Sequence, residues 1–225
     1  MSLSDLQQKQ RLIGPLNYHD RFNLTLPPEK SILQHQLLDL VRYTAQQSMV
    51  LNEKKTKNMI VNFSKKYQFT TQLSVNDIPI ELVRETKLLG THLTENLKWD
   101  KNTSEIVKNA WKRMQLFFRA ASFTSNKADL RKIYLTFVRS ILEQSAVVWH
   151  SSLTEKNRVA LERVQKAAVK VMMGNNYKNY KDGLKNLNLD NLNSRREDLC
   201  LRFAKKSTQN EKMKSMFPKN IRKHV

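Results

Sequence analysis

The sequence has one cysteine, Cys200, four glycines and five prolines in 225 residues. A single thiol excludes an internal disulfide framework and suits a reducing compartment. So few glycines leave no glycine-rich phosphate loop. The histidines, His19, His35, His92, His150 and His224, are scattered with no pair at ligand spacing, so no metal site and no cofactor are expected in this chain. No apolar run approaches the roughly 20 residues of a membrane span. The opening MSLSDLQQKQRLI also lacks the apolar core of a secretory signal. The expectation is an intracellular protein, nuclear or cytoplasmic, with no membrane partner and no small-molecule substrate. No Asp-Asp pair occurs, and the isolated His19-Asp20 dipeptide builds no active site.

Acidic side chains are scarce as well: 20 stand against 40 basic ones, a net charge of +20. Residues 1–100 hold 13 basic and 10 acidic residues, whereas residues 101–225 hold 27 and 10. Nearly all of the excess therefore belongs to the C-terminal half. A field of that sign attracts a polyanion, because each neutralised phosphate releases condensed counterions. The expected partner is nucleic acid.

Periodicity divides the chain into an irregular segment (1–28), a small α+β piece (29–98), a helical bundle (99–207) and a basic tail (208–225). The fold class expected is α+β, mostly α. Residues 2–13 read as a short helix, and Gly14-Pro15 and Pro27-Pro28 bracket a loop. A helix over 29–50 carries Ile32, Leu33, Leu37, Leu40, Val41 and Ala45 on one stripe. Strands are expected over 57–63, 69–75, 78–83 and 87–93, with a tight turn at Asn76-Asp77 and Pro79 marking an edge. Residues 102–122 form the next amphipathic helix, with Ile106, Val107, Ala110, Met114, Phe117, Phe118 and Ala121 on one face.

Residues 127–174 read as two helices joined by a polar turn. In the first, Leu130, Ile133, Tyr134, Phe137, Val138, Ile141, Leu142, Ser145, Val148 and Trp149 fall on one stripe at alternating spacings of three and four, predicting one continuous helix to residue 150. After the break at His150-Ser151-Ser152, Thr154 is placed to cap a second helix. Its apolar positions are Leu161, Val164, Ala168, Val171 and Met172, with Gly174 at a left-handed C-cap. Arg158, Arg163, Lys166 and Lys170 mark its other face. A short helix near 180–186 precedes a last one in which Leu192, Leu199 and Phe203 face inward and Arg195, Arg196, Arg202, Lys205 and Lys206 face water. Of the aromatics, Phe117, Phe118, Tyr134 and Trp149 fall on apolar stripes. Trp111, beside Lys112 and Arg113, is free to stack on a base.

The order of certain residues is more specific than their bulk. LNEKKTKNMIVNF (51–63) and IPIELVRETKLLGTHLTENLKWDKNTSEIVKNAWKRM (78–114) are followed by Tyr134, Val138-Arg139, Leu142-Glu143 and Val148-Trp149. Leu161-Glu162, Val164-Gln165-Lys166-Ala167 and LNLDNLNSRREDL (187–199) come next. Taken in this order, over roughly 30–210, they resemble the reverse transcriptases of non-LTR retrotransposons, the jockey-like group especially. The resemblance implies a palm edge followed by a helical thumb that holds an RNA/DNA template–primer duplex. It implies that Lys55 lies near the leaving pyrophosphate and that the Leu88-Leu89-Gly90 hairpin grips the primer. Lys112, Arg113, Arg163, Lys166, Lys170, Arg195 and Arg196 complete the expected nucleic-acid-binding set.

Departures from that family limit what is expected. Its catalytic centre uses two metal ions, Mg2+ in the full-length enzyme, held by aspartates that include an Asp-Asp pair. GPLNYHDRFNLTLPPEK (14–30) stands in the corresponding place without one. Glu53 replaces a common proline and Gln144 a common tyrosine. The expectation is therefore duplex binding without polymerisation by this chain alone. Two rivals remain: a domesticated basic helical module that binds proteins through an exposed face, and an intact enzyme with an unorthodox site.

Overall fold

The computed structural model describes residues 30–63, 72–124 and 126–214. Residues 1–29, with the expected helix over 2–13, lie outside them. The chain is α+β and mostly α. It divides into two compact units, one of residues 1–58, 65–82 and 208–225, the other of residues 59–64 and 83–207.

The first unit holds α1 (Lys30–Gln46), which packs against β2 (Ser74–Val75), and two minimal ladders. Strand β2 turns back into β3 (Ile78–Pro79) through Asn76 and Asp77, whose φ values of 49° and 61° are those of a type I′ turn. Strand β1 (Lys57–Asn58) runs parallel to β4 (Glu81–Leu82), and Lys57 forms an ion pair with Glu81. The Gln34 amide grips the Ser74 backbone from both sides, donating to its carbonyl (2.7 Å) and accepting from its N–H (3.0 Å). Among the described residues, the strands expected over 57–63 and 78–83 are seen as these short pairs. Leu40 and Ala45, expected on the apolar stripe of α1, are exposed. Glu53 accepts from the Asn76 side chain (2.9 Å), tying the 52–56 turn to the hairpin turn.

The second unit starts with a hairpin, β5 (Glu85–Leu88) and β6 (Thr91–Thr94), where a single strand over 87–93 is the periodicity reading. Leu89 (φ 48°) and Gly90 (φ 86°) form its turn, which is the hairpin that the family resemblance implies. Asn102 Oδ1, in the first turn of α2 (Asp100–Phe123), accepts from the His92 N–H and anchors the hairpin to that helix (3.1 Å).

The helix expected over 127–150 is interrupted. It runs as α3 (Lys127–Ile133), a π-helical segment (Tyr134–Arg139), α4 (Ser140–Leu142) and α5 (Ala146–Trp149). Leu130, Tyr134, Val138, Leu142 and Ala146 are the buried series, four residues apart throughout. In a regular α-helix that spacing drifts by about 40° per step. Hydrogen bonds from i to i+5 widen the turn and hold the series on one face. Ser145, at φ 53°, then breaks the helix before α5. The widened turn moves Phe137 and Val148 off the buried face; they are 55% and 53% exposed.

Helix α6 (Glu155–Met173) follows a 3₁₀ turn at His150–Ser152, and the Thr154 side chain caps it by accepting from the Asn157 N–H (3.4 Å). Gly174 ends it with positive φ, but at ψ −131° it lies outside the left-handed helical well expected there. Helices α7 (Tyr180–Asn186) and α8 (Leu192–Gln209) complete this part of the chain, and α9 (Glu211–Lys214) follows. Helicity therefore continues into the expected tail. Trp99, Met114, Phe117, Tyr134, Trp149, Leu161, Val164 and Leu192 lie in one core. Phe203, expected inside, is 42% exposed.

Candidate nucleic-acid interface

Helix α6 separates its residues by face. Leu161, Val164, Gln165, Ala168, Val169 and Met172 are buried. On the opposite side, within an arc of about 80° at 100° per residue, stand Lys156, Arg163, Lys166 and Lys170, all exposed. The stripe runs for about 21 Å at 1.5 Å per residue. Among the described residues none of these four cations has a carboxylate partner within 4.0 Å. Three of them are among the residues expected from sequence; Arg158, also expected on this face, is instead half-buried, with its Nε out of solvent. Lys156 was missed, although the spacing 156–163–170 would have disclosed it as a repeat of seven. The Lys166 ammonium lies 5.3 Å from the centre of the Tyr180 ring, which places the start of α7 beside the stripe.

The other expected residues are not assembled here. Lys112, with Lys108 and Arg119, lies on the side of α2 opposite its buried stripe; Arg113 lies on a flank, exposed. Helices α2 and α6 pack through their apolar stripes, so Lys112 and the α6 cations project from opposite sides. Trp111 and Phe118 lie on another flank of α2, 39% and 40% exposed. Arg195 is engaged by Glu143 (3.2 Å), which also pairs with Arg139 (3.5 Å). Arg196 is a correction to the expected water-facing set: it is 0% exposed, packed 5.8 Å from the Trp149 ring centre and donating from Nε to His150 Nδ1 (3.4 Å). A helix this crowded with cations turns one of them inward when its stem fills core volume beside an aromatic ring. Leu89, 91% exposed, and Gly90 lie at the tip of the β5–β6 turn, and a Cβ at Gly90 would run into the Gln144 amide. Lys55 is exposed on the 52–56 turn of the first unit.

Beneath the stripe lies a polar network that sequence reasoning did not find. The Tyr134 hydroxyl donates to Gln165 Oε1 (2.6 Å), and the Gln165 amide donates to the Tyr180 hydroxyl (2.8 Å) and to the Asp190 carbonyl (2.9 Å). Tyr180 donates in turn to Glu162, whose carboxylate also accepts from the Leu192 N–H (3.1 Å). Burial pushes both tyrosines above the usual phenol range, and for Tyr180 the bond to Glu162 adds to it. Both therefore remain neutral donors. The network holds α6, α7 and the start of α8 to the π-helical segment, and so fixes what the stripe rests on.

His150, buried on the 3₁₀ turn, is pushed below its usual range by burial first and by Arg196 and Arg158 second. Among the described residues no three His, Cys, Asp or Glu side chains cluster as a metal ion would require, and no helix is long and apolar enough to cross a membrane. Compared with known proteins, the chain matches no family model, no curated protein and no solved structure.

Proposed function

We propose that this chain is the palm-edge and thumb portion of an RNA-directed DNA polymerase of the non-LTR retrotransposon kind, and that it binds template–primer duplex without strong sequence preference. The observation that carries the proposal is the row of four unneutralised cations on one face of α6. Exposed lysines and an arginine about one helical turn or two apart suit a phosphate backbone. They position a strand without reading its bases.

The resemblance gains support from how its residues meet. Tyr134 bonds Gln165, Arg139 and Arg195 share Glu143, and Trp149 packs on Arg196. Each pairing joins separate stretches of the pattern, so the stretches make one packed unit. Titration of a labelled RNA–DNA duplex at several salt concentrations tests the proposal. Binding that weakens steeply with salt supports it, and absent or salt-insensitive binding overturns it. With template, primer, deoxynucleotides and magnesium, this chain alone is expected to give no extension product, because it carries no Asp-Asp pair.

A second reading rests on Phe137 and Val148, apolar residues left exposed by the π-helical segment. They suit a protein-binding face. A partner whose capture is lost with Phe137→Ser, yet survives charge removal on α6, would favour that reading.

A further inference from the structure

Six buried side-chain polar atoms among the described residues lack a hydrogen-bond partner, and four of them belong to one junction: Arg158 Nε, Asn193 Oδ1 and both terminal nitrogens of Arg196. Asn193 and Arg196 are three residues apart on α8 and share its inner side. Arg158 and Asn193 line the same open groove, of about 420 Å³, between α6 and α8. Arg196 does not line the groove; it is fully buried, oriented by its Nε–H to His150 and by Trp149, and near enough to Arg158 for the two charges to oppose one another. Carboxylates stand nearby but are engaged. Glu143 is shared by Arg139 and Arg195, and Glu162 is held by Tyr180 and the Leu192 N–H. Glu155 stands in the groove wall. Half-buried Arg158 and fully buried Arg196 thus lie close enough to repel, with three N–H-bearing nitrogens unused, and the carboxylates that act on Arg196, Glu162 and Glu143, are shared with other partners.

We propose that this junction is an oxyanion site that takes a phosphate group entering along the α6–α8 groove. A tetrahedral oxyanion offers several acceptor oxygens at once, which suits two planar guanidinium forks better than a halide or a single carbonyl does. The Asn193 amide, turned over, would present donors to the same group. Lys166 lines the groove and belongs to the cation stripe, so the phosphate can come from a bound strand or be free in solution. The site does not rest on the duplex-binding proposal.

Thermal unfolding of the full chain in inorganic phosphate, against sodium chloride at equal ionic strength, tests it. At about five times the dissociation constant, the midpoint is expected to rise by about 2–4 °C. Lys108→Gln/Arg119→Gln, on α2, keeps that rise, whereas Arg158→Gln loses it. Arg196→Met, an apolar side chain of similar length, also loses it; should that variant fail to fold, Arg158→Gln decides. No rise in the wild type, or an equal rise in Arg158→Gln, overturns the proposal. Where the site holds, duplex titration separates the sources. A strand phosphate seated here makes Arg158→Gln shallow the salt dependence by about 0.9 in log–log slope, and free phosphate leaves the slope unchanged.

Discussion

Removing the three central charges of the α6 stripe, as R163Q/K166Q/K170Q, is the perturbation that separates a specific interface from a merely basic protein. All three side chains are exposed, and none has an ion-pair partner that would be orphaned. Helix propensity changes little from Lys or Arg to Gln. The fold should survive with little change in melting temperature. If each cation neutralises one phosphate, the plot of log affinity against log salt becomes shallower by about 2.7. Between 50 and 200 mM salt, the wild type then loses about 40-fold more affinity than the variant does. Fluorescence anisotropy with a labelled RNA–DNA duplex reads both slopes. The control is K108Q/K112Q/R119Q, which removes the same charge from the outward side of α2. An equal change in slope from the two variants would refute the reasoning, because net charge alone would then account for binding.

The remaining predictions concern the structure under the stripe. His150 is held below its usual range, so between its folded value and its ordinary value near 6.5 the unfolded chain binds the extra proton. Its contribution is present above about pH 6.5 and is lost as pH falls below that, so calorimetric melting at pH 7.5 and pH 5 should show a drop that His150→Asn reduces. Gln165→Leu strands the buried Tyr134 hydroxyl and should cost about 1–3 kcal/mol by chemical denaturation. Tyr134→Phe made in the same chain should recover part of that loss, a coupling that an additive result would disprove. Gly174→Ala meets no steric obstacle, yet φ 51° with ψ −131° disfavours any Cβ, so a loss of about 1–3 kcal/mol is expected.

Much of this architecture can be read from residue order. Apolar spacing places α2, α6 and α7, Thr154 marks the start of α6, and Asn76-Asp77 marks a primed turn. What spacing does not reveal is backbone that departs from the regular helix. The run from Leu130 to Trp149 satisfies both a period of 3.6 and a period of four, and only packing selects the second. A π-helical turn and a positive φ at Ser145 follow from that choice, and Phe137 and Val148 change sides with it. Arg196 illustrates a different limit. Sequence weighs an arginine by its charge, whereas its long stem beside Trp149 is what places it inside. Strand length is equally opaque. Nothing in KNMIVNF announces that the ladder with Glu81 and Leu82 is made at Lys57 and Asn58.

The residues that carry the family resemblance and the residues that form the cation stripe are largely different sets. Tyr134, Arg139, Glu143, Trp149, Glu162, Gln165, Arg195 and Arg196 bond or pack with one another across elements. Lys156, Arg163 and Lys170 touch no such partner, and Lys166 alone belongs to both sets. Such a division follows from the physics of each task. A buried hydrogen bond or a shared carboxylate requires one side chain at one place, since a misfit orphans its partner. A phosphate contact in water tolerates lysine or arginine at any position on the right face, because screened charge acts over about 10 Å at 0.1 M salt. The pattern therefore records a scaffold, and under the proposed duplex binding the strength of the grip would be set by residues the pattern leaves open. On that argument, moving a stripe cation within its face, for example Arg163→Gln together with Val159→Lys, should restore most of the salt slope that Arg163→Gln removes. Exchanging the buried pair, Tyr134→Gln with Gln165→Tyr, should instead abolish cooperative unfolding, because neither side chain fits the other's place.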